Sequence, residues 1–445
     1  MTASRIALRI GTDRGFTLVE LMVAMTLGLL VAVGLVSLFG VTSKTNKVQD
    51  GLAQLQENGR YAIKRFNGDL RLAGRQVIST SGAPSAPNAT NGAAYPPLAA
   101  KVYVASIPFP DGAIGPPAGW PAATPWPLSP RYFMQGYECS SGSCLPAEPS
   151  TALVPASSST PTANLRLAKT DVLVERFINN NQEGWSQLIG DITINCNSGN
   201  LTSITLTPQT AGPNKSLASN FVDGDLALMY MGFIPQIFQV GVSGTTLTPK
   251  NVYGGGFVGN CSNTGEALLF NFSRDFQTIA YWLRFDADPN ISGRFIPTLV
   301  RTVMDNVGTP KADQALVQGV ERMDFLYGVQ YADASTTYLT ADNVTSATYS
   351  NATNCTPAPT NVNPGVANPL ETGCLWRSLQ TTEVHLLIDS VNDQFDLSSS
   401  DQIYQYMGST LSAPASKSTV MPNGLPAGAM MRREFAALVS MRNSI

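Results

Sequence analysis

The pattern of hydrophobic and polar positions begins with one long apolar run. From Phe16 to Val41 the chain carries a single charged residue, Glu20. An α-helix needs roughly 20 apolar residues to span the hydrocarbon core of a bilayer, and this run is longer. We therefore predict a membrane-spanning helix over residues 16–41.

The pattern then becomes amphipathic while it keeps its helical spacing. Charged residues separate the apolar positions, and no proline occurs before Pro84. The apolar positions with this spacing are Val48, Leu52, Leu55, Ile63, Phe66, Leu70 and Ala73. The sequence thus predicts one helical segment over residues 16–75, whose second half packs on a sheet.

A change of composition follows the helix. Residues 76–164 are rich in Pro, Gly and Ser, which predicts a loop-rich insertion. Aromatic residues such as Tyr95, Tyr103, Trp120 and Trp126 indicate that this insertion packs on another part of the protein.

Beyond residue 165 the apolar positions alternate with a period of two, as in a half-buried strand. The alternating sets are Ile279 to Phe285, Met323 to Val329, Val384 to Ile388 and Phe435 to Met441. Turn residues separate these runs, and no βαβ alternation is visible. We predict an α+β fold: the long helix packed on an antiparallel β-sheet head, residues 165–445.

The residues before the apolar run carry the first indication of function. Arg5, Arg9 and Arg14 favour the cytoplasmic side of a membrane, so the rest of the chain is expected outside. No small-residue cleavage site follows the apolar run, unlike an ordinary secretory signal. A processing point at Gly15-Phe16 instead precedes it, and cleavage there leaves the helix on the mature protein.

The stretch G-FTLVE, Gly15 to Glu20, resembles the class III signal of type IV prepilins and type II secretion pseudopilins. The resemblance implies that residues 1–15 are a leader and that a prepilin peptidase cuts after Gly15. Phe16 would then be the N-methylated new terminus. Glu20 would be the family's fifth-position glutamate, which meets the terminal amine of a neighbouring subunit. A plain signal anchor with an interfacial Glu20 is the alternative.

Three further blocks are similar to PilW-type minor pilins: residues 57–74, 317–329 and 431–443. This resemblance implies a structural subunit in type IV pilus assembly and priming, and in the pilus tip complex. Its implied partners are the prepilin peptidase, the major pilin, other minor pilins and a large tip adhesin. It also implies a single pass through the bacterial inner membrane, a periplasmic head and incorporation into the pilus.

Charge and cysteine content fit an exported protein. The formal net charge is −3, and neither total nor local charge offers a basic patch for nucleic acid. The six cysteines, an even number, predict disulfides: Cys139, Cys144, Cys196, Cys261, Cys355 and Cys374. Fifteen pairings are open, and we favour the sequential one because each pair then closes a loop within one region.

The sequence shows no recognisable set of catalytic or metal-binding residues. We therefore expect no enzymatic activity and no bound metal or cofactor. His385 alternates with apolar residues on a strand, and a solvated or hydrogen-bonded role is expected. Asp286 to Ser292 has alternating oxygen ligands but lacks the acid that ends a calcium loop, which favours an Asx turn. The glycines Gly254 to Gly256 lack the following Lys of a phosphate loop.

Three functions remain open at this point. The first is the minor pilin. The second is a large minor pseudopilin of a type II secretion system, which has the same class of leader. The third is a membrane-anchored hydrolase or binding protein, against which the missing catalytic constellation weighs.

Overall fold

The structure is a computed structural model. It describes residues 17–73, 100–116, 120–122, 124–139, 143–178, 192–207, 221–231, 234–250, 261, 267–307, 310–331, 333–347, 373–392, 403–412 and 430–441. The chain forms two compact units, residues 1–54 and 55–445.

The described helices are α1 (Leu18–Leu70) and α2 (Ala341–Ser346). The described strands are β1 (Lys101–Val102), β2 (Trp126–Pro127), β3 (Met134–Tyr137), β4 (Ser157–Ser158), β5 (Arg166–Leu167), β6 (Val172–Ile178), β7 (Ile192–Asn197), β8 (Asn200–Leu206), β9 (Leu226–Met231), β10 (Ile234–Ser243), β11 (Thr246–Lys250), β12 (Ala267–Asn271), β13 (Phe276–Ala287), β14 (Phe295–Asp305), β15 (Pro310–Gln318), β16 (Val320–Gln330), β17 (Thr336–Leu339), β18 (Leu379–Asp389), β19 (Ile403–Tyr406), β20 (Ser409–Ser412) and β21 (Arg432–Ser440). Short 3-10 turns occur at Pro130–Tyr132 and Cys374–Ser378.

Helix α1 is one continuous element of 53 residues. Within the second unit its apolar stripe is buried, with Leu55, Ala62, Phe66 and Leu70 at most 1% exposed. After Leu70 the chain makes a turn, and Ala73 closes it by donating its backbone N–H to the Leu70 carbonyl. The predicted packing of the amphipathic half on β-structure is confirmed.

A seven-stranded sheet lies at the centre of the head, in the order β15-β14-β13-β5-β4, with β6 on β13 and β3 on β6. Alternate residues of β13, such as Ile279 and Tyr281, share one apolar cluster with Phe66 of the helix. Trp282 and Ala280 point to the opposite face, where Leu153 and Val154 cover them. Both faces of this sheet are therefore buried.

A four-stranded antiparallel sheet, the terminal sheet, has the order β17-β16-β18-β21. The predicted inward residues, including Phe325 and Val384, lie in the same cluster as Phe66. The two-stranded hairpin β19–β20 contributes the buried rings of Tyr404 and Tyr406 to this cluster.

The third sheet has eight strands, in the order β12-β9-β10-β11-β8-β7, with β1 on β10 and β2 on β1. Its faces carry separate apolar clusters, one around Leu228 and Phe270 and the other around Met229 and Phe238. Among the described pairs only β1–β10 and β4–β5 are parallel, and each spans two residues. The predicted α+β arrangement, a long apolar helix with a β-rich head, is confirmed.

Described parts of the predicted insertion pack closely on these sheets. Trp126 is buried and its ring N–H donates to the Val104 carbonyl at 2.8 Å. Arg176 of β6 reaches the same region: its guanidinium donates to Asp111 Oδ2 at 2.6 Å and lies 4.9 Å from the centre of the Phe109 ring. Two aromatic residues of the insertion are thus held in place, Trp126 by its bond to Val104 and Phe109 by Arg176 of strand β6.

Candidate assembly site

The first described residues form a hydrogen-bonded cap on helix α1. The Glu20 backbone N–H donates to Thr17 Oγ1 at 3.2 Å, and the Thr17 backbone N–H donates to Glu20 Oε2 at 3.1 Å. The Thr17 hydroxyl also donates to Oε2, at 3.0 Å. This reciprocal pattern is a capping box, in which the residue before the helix and the third helical residue satisfy each other's N–H groups.

The cap shows a role of Glu20 that our sequence reasoning missed, although the signal T-x-x-E was present. A carboxylate in the first helical turn also interacts favourably with the helix dipole. Both bonds that the Glu20 carboxylate accepts from Thr17 use Oε2, so this carboxylate keeps an oxygen without a bond to a described residue. Gly15 and Phe16, the predicted processing residues, lie outside the described residues.

The apolar run beyond Glu20 is not buried by the protein. Its most apolar 18-residue window has a mean hydropathy of 2.5, and none of that window is buried. By length and composition, α1 is the one helix among the described residues that could cross a membrane. These properties fit a transmembrane anchor.

A buried group of charges, the anchor cluster, fixes the end of helix α1 to the central sheet. Asp69 Oδ2 accepts bonds from Arg301 Nε of β14 and from the Tyr281 hydroxyl of β13, both at 2.6 Å. Arg65, one helical turn earlier, approaches the same oxygen at 3.5 Å. Desolvation on burial, and next the charge of Asp69, raise the pKa of Tyr281 well above its usual value. Tyr281 therefore remains a donor to Asp69.

Glu175 of β6 completes the anchor cluster as a buried acid. It is 0% exposed, and neither of its carboxyl oxygens has a hydrogen-bond partner among the described residues. Desolvation raises the pKa of Glu175 well above its usual range, and the charge of Asp69 raises it further. The geometry therefore favours the neutral carboxylic acid. An acidic residue within an apolar strand pattern was the available sequence signal.

Charged residues on the outer face of the terminal sheet hold the hairpin β19–β20. The Tyr406 hydroxyl makes a short hydrogen bond to Asp324 Oδ2, and Arg322 Nε donates to the same oxygen at 2.7 Å. His385 Nδ1 lies 2.7 Å from Glu434 Oε1, which also accepts the Met407 backbone N–H at 3.1 Å. His385 is thus buried and hydrogen-bonded, which is one of the two roles predicted for it from the sequence.

A fully buried ion pair joins strands β21 and β16 of the terminal sheet. Arg432 of β21 donates to both carboxylate oxygens of Glu321 on β16, at 2.6 and 2.9 Å. Asp389 lies beside the pair, and burial, followed by the charge of Glu321, raises the pKa of Asp389 well above its usual value. Strand β21 is therefore tied to the sheet by charge as well as by its backbone.

The structure contains disulfides, as predicted. Cys139 bonds to Cys144 and Cys196 bonds to Cys261. Cys374 is also disulfide-bonded, and Cys355 lies outside the described residues. Arg166 and Glu148 flank the first bond: the Arg166 guanidinium lies 3.6 Å from Cys139 Sγ, and Glu148 Oε1 accepts the Cys144 backbone N–H.

The candidate calcium loop is a turn closed by its own side chains. Asp288 Oδ1 accepts the Asn290 backbone N–H at 2.8 Å, which is an Asx turn. Arg284 pairs with Asp286 and Arg294 with Asp288. Among the described residues no group of three His, Cys, Asp or Glu side chains could hold a metal ion. Gly254 to Gly256 lie outside the described residues.

Comparison with known families identifies the class of protein to which this chain is similar. Residues 11–36 match the prokaryotic N-terminal methylation motif of prepilin-like proteins. Residues 281–443 match the family of type IV pilus-assembly protein W, PilW. The resemblance to PilW-type proteins is therefore confirmed, and the second match spans strands β14 to β21. No curated protein and no solved structure matches the chain.

These matches support a minor pilin associated with type IV pili. The methylation motif implies a substrate of a prepilin peptidase that has assembly partners in the pilus. With the unburied apolar helix, it indicates a membrane-anchored protein that is incorporated into the pilus. The family suggests a structural role.

Proposed function

We propose that this protein is a minor pilin of the complex that primes type IV pilus assembly and then occupies the pilus tip. Before assembly it spans the inner membrane once through residues 16–41, with its head in the periplasm. Other minor pilins, the major pilin and a large tip adhesin are its partners. The observation that carries the proposal is Glu20, an acid at the start of an unburied apolar helix that matches the methylation motif.

Processing is the first step of this proposal. The prepilin peptidase cuts after Gly15 and methylates the Phe16 amine, so the apolar helix stays on the mature protein. Replacing Gly15 with a larger residue should block the cut. Mass analysis of the N-terminus in sheared pili tests this step, and a retained Met1 in assembled protein would contradict it.

Glu20 then changes partner during assembly. In the single subunit its carboxylate caps the helix through Thr17. In a bundle of apolar helices the Phe16 amine of a neighbouring subunit can approach this carboxylate, where opposite charges attract far more strongly than in water. An ionised side chain is expensive inside a membrane, by on the order of 2.5 to 3.5 kcal/mol at the helix centre, unless it has such a partner.

Two substitutions separate the charge of Glu20 from its capping role. Glu20→Gln keeps an acceptor for the capping box and removes the charge, since glutamine also serves at this position. Thr17→Ala removes the cap and keeps the charge. We expect Glu20→Gln to insert and be cleaved normally but to be depleted from sheared filaments and from minor-pilin complexes. Thr17→Ala should be incorporated nearly as well as the parent.

The measurement is the ratio of mature protein in filaments to mature protein in membranes. If Glu20→Gln is incorporated as well as the parent, the charge has no part in assembly. If the parent neither enters pili nor purifies with other pilins, the proposed function itself is wrong.

A further inference from the structure

The solvent-facing side of helix α1 in the head carries a line of basic residues. Arg60, Lys64 and Arg71 are all exposed. At about 100° per residue, Arg60 and Lys64 fall within about 40° of each other around the helix axis. Arg71 follows in the turn directly after Leu70. Leu55 and Phe66, which are buried, lie on the opposite side. We call Arg60, Lys64 and Arg71 the basic stripe.

The cations of the basic stripe are not held in ion pairs within the described structure. None of its three cations makes an ion pair with a described residue. Asp69, the acid closest to Lys64 and Arg71 in sequence, is buried in the anchor cluster and bonded to Arg301. Glu57 is the one acid on the exposed side of residues 55–71. The stripe is thus locally basic in a chain whose net charge is −3.

The stripe is also open to close approach. Gly68 lies between Lys64 and Arg71 in the sequence, in the last turn of the helix, and a Cβ atom there would meet nothing within 4 Å. Glycine inside a helix costs about 0.5 to 1 kcal/mol relative to alanine. A glycine between two cations leaves a gap in which the backbone of another protein can approach the helix.

We propose that the basic stripe is a docking surface for carboxylates on a neighbouring pilin subunit. The proposal rests on the proposed function and adds the surface and the chemistry of the partner. Arg60 and Lys64 are four residues apart, a spacing at which like charges repel in the isolated helix. Carboxylates of a partner relieve this repulsion, and the stripe restricts binding to acidic surfaces.

Two other polyanions fit the described stripe less well. Arg60 lies 19 residues beyond Val41 in the sequence. Along a helix this is about 28 Å, whereas the field of anionic lipid head groups is screened within about 8 Å at physiological salt. Three cations also offer few of the phosphate contacts that support nucleic-acid binding.

The test uses the full-length protein in its native membrane, captured together with the other pilins. Charge reversal of two stripe residues, Arg60→Glu with Lys64→Glu, is compared with Lys169→Glu, which reverses an exposed cation elsewhere in the head. We expect the stripe variant to capture about tenfold less of at least one pilin, because like charges then face each other across the interface. Lys169→Glu and the conservative Lys64→Arg should capture as much as the parent.

A second arm changes the shape of the stripe and its ionic environment. Gly68→Gln fills the gap between the cations, and we expect it to reduce capture without changing charge. Raising the salt concentration should weaken capture by the parent more than the residual capture by the charge-reversed variant. Circular dichroism of each purified variant confirms that the head is folded, as expected for exposed positions.

The outcomes separate the two proposals. If the charge-reversed variant captures as much pilin as the parent, the basic stripe is not a docking surface, and the proposed function is unaffected. A parent that captures no pilin overturns both. If the parent retains a double-stranded oligonucleotide and the charge-reversed variant does not, the basic stripe binds nucleic acid. The proposal of a pilin partner would then be wrong.

Discussion

The ring of Phe435, on strand β21, packs directly against the backbone of Gly59 in helix α1. A Cβ atom at position 59 would lie 2.3 Å from Cε1 of that ring, closer than any real contact. Gly59 therefore lets the last described strand approach the helix.

Gly59→Ala should destabilise the head, because the methyl group forces Phe435 or the helix to move. Overpacking of this kind typically costs about 1 to 3 kcal/mol. Gly68→Ala is the matched control in the same helix, since a Cβ atom there meets nothing within 4 Å. The control should be stabilised by about 0.5 to 1 kcal/mol. Urea unfolding followed by tryptophan fluorescence measures both, and equal effects would contradict the close approach.

Asp69→Asn should loosen helix α1 from the central sheet. It leaves the buried Arg301 guanidinium without its charged partner, which typically costs about 3 to 5 kcal/mol. Asp223→Asn is the control: Asp223 pairs with Lys250 at 2.7 Å, but both side chains are exposed, so little change is expected. The free energy of unfolding of each variant is measured. A small effect of Asp69→Asn would show that the anchor cluster contributes little to the stability of the head.

Glu175→Gln should change how stability depends on pH. The pKa of Glu175 is raised in the folded state, so its stabilising contribution is fully present below about pH 4.3 and is lost as pH rises through the folded pKa. Glutamine does not ionise, so the variant should be more stable than the parent above the folded pKa. The difference should grow by at most about 1.4 kcal/mol per pH unit.

Urea unfolding of parent and Glu175→Gln at a series of pH values measures this difference. The exposed Asp333→Asn serves as the control for general changes of charge. A difference that stays constant from pH 5 to pH 9 would contradict the raised pKa, because it would mean that Glu175 is ionised in the folded state throughout this range.

The two fully described disulfides should contribute unequally to stability. Cys196 and Cys261 are 65 residues apart, whereas Cys139 and Cys144 are 5 apart. On the chain-entropy account, the longer loop stabilises by about 4 kcal/mol and the shorter by about 2 kcal/mol. Replacing each pair by serines and comparing the unfolding midpoints tests this order. A larger loss from the Cys139–Cys144 pair would indicate that its contacts with Arg166 and Glu148 outweigh loop entropy.

Local periodicity was sufficient to predict the main elements of this fold. The apolar spacing from Leu55 to Ala73 predicted the buried side of the helix, and alternation predicted β13, β16, β18 and β21. These patterns carry the information because each depends on neighbours within one element. The leader motif likewise predicted the prepilin class from Gly15, Phe16 and Glu20.

Features that join distant elements could not be predicted in this way. Asp69 pairs with Arg301, and Arg176 reaches Asp111, across separations that no local pattern encodes. The basic stripe was missed for a related reason: its residues are separated in sequence by apolar and acidic residues, and Arg60 and Lys64 are brought together only by the helix. The bond between Glu20 and Thr17 differs from these contacts, because it is local and its T-x-x-E signal stands in the sequence.

The contact between Gly59 and Phe435 also sets an order of events in biosynthesis. Helix α1 is made before β21, so the surface on which the helix rests is incomplete until β21 has been synthesised. Contacts between such distant parts of a sequence form slowly. A chain cut short before β21 would carry its membrane anchor but leave one side of Gly59 uncovered, and the head could not reach its final packing.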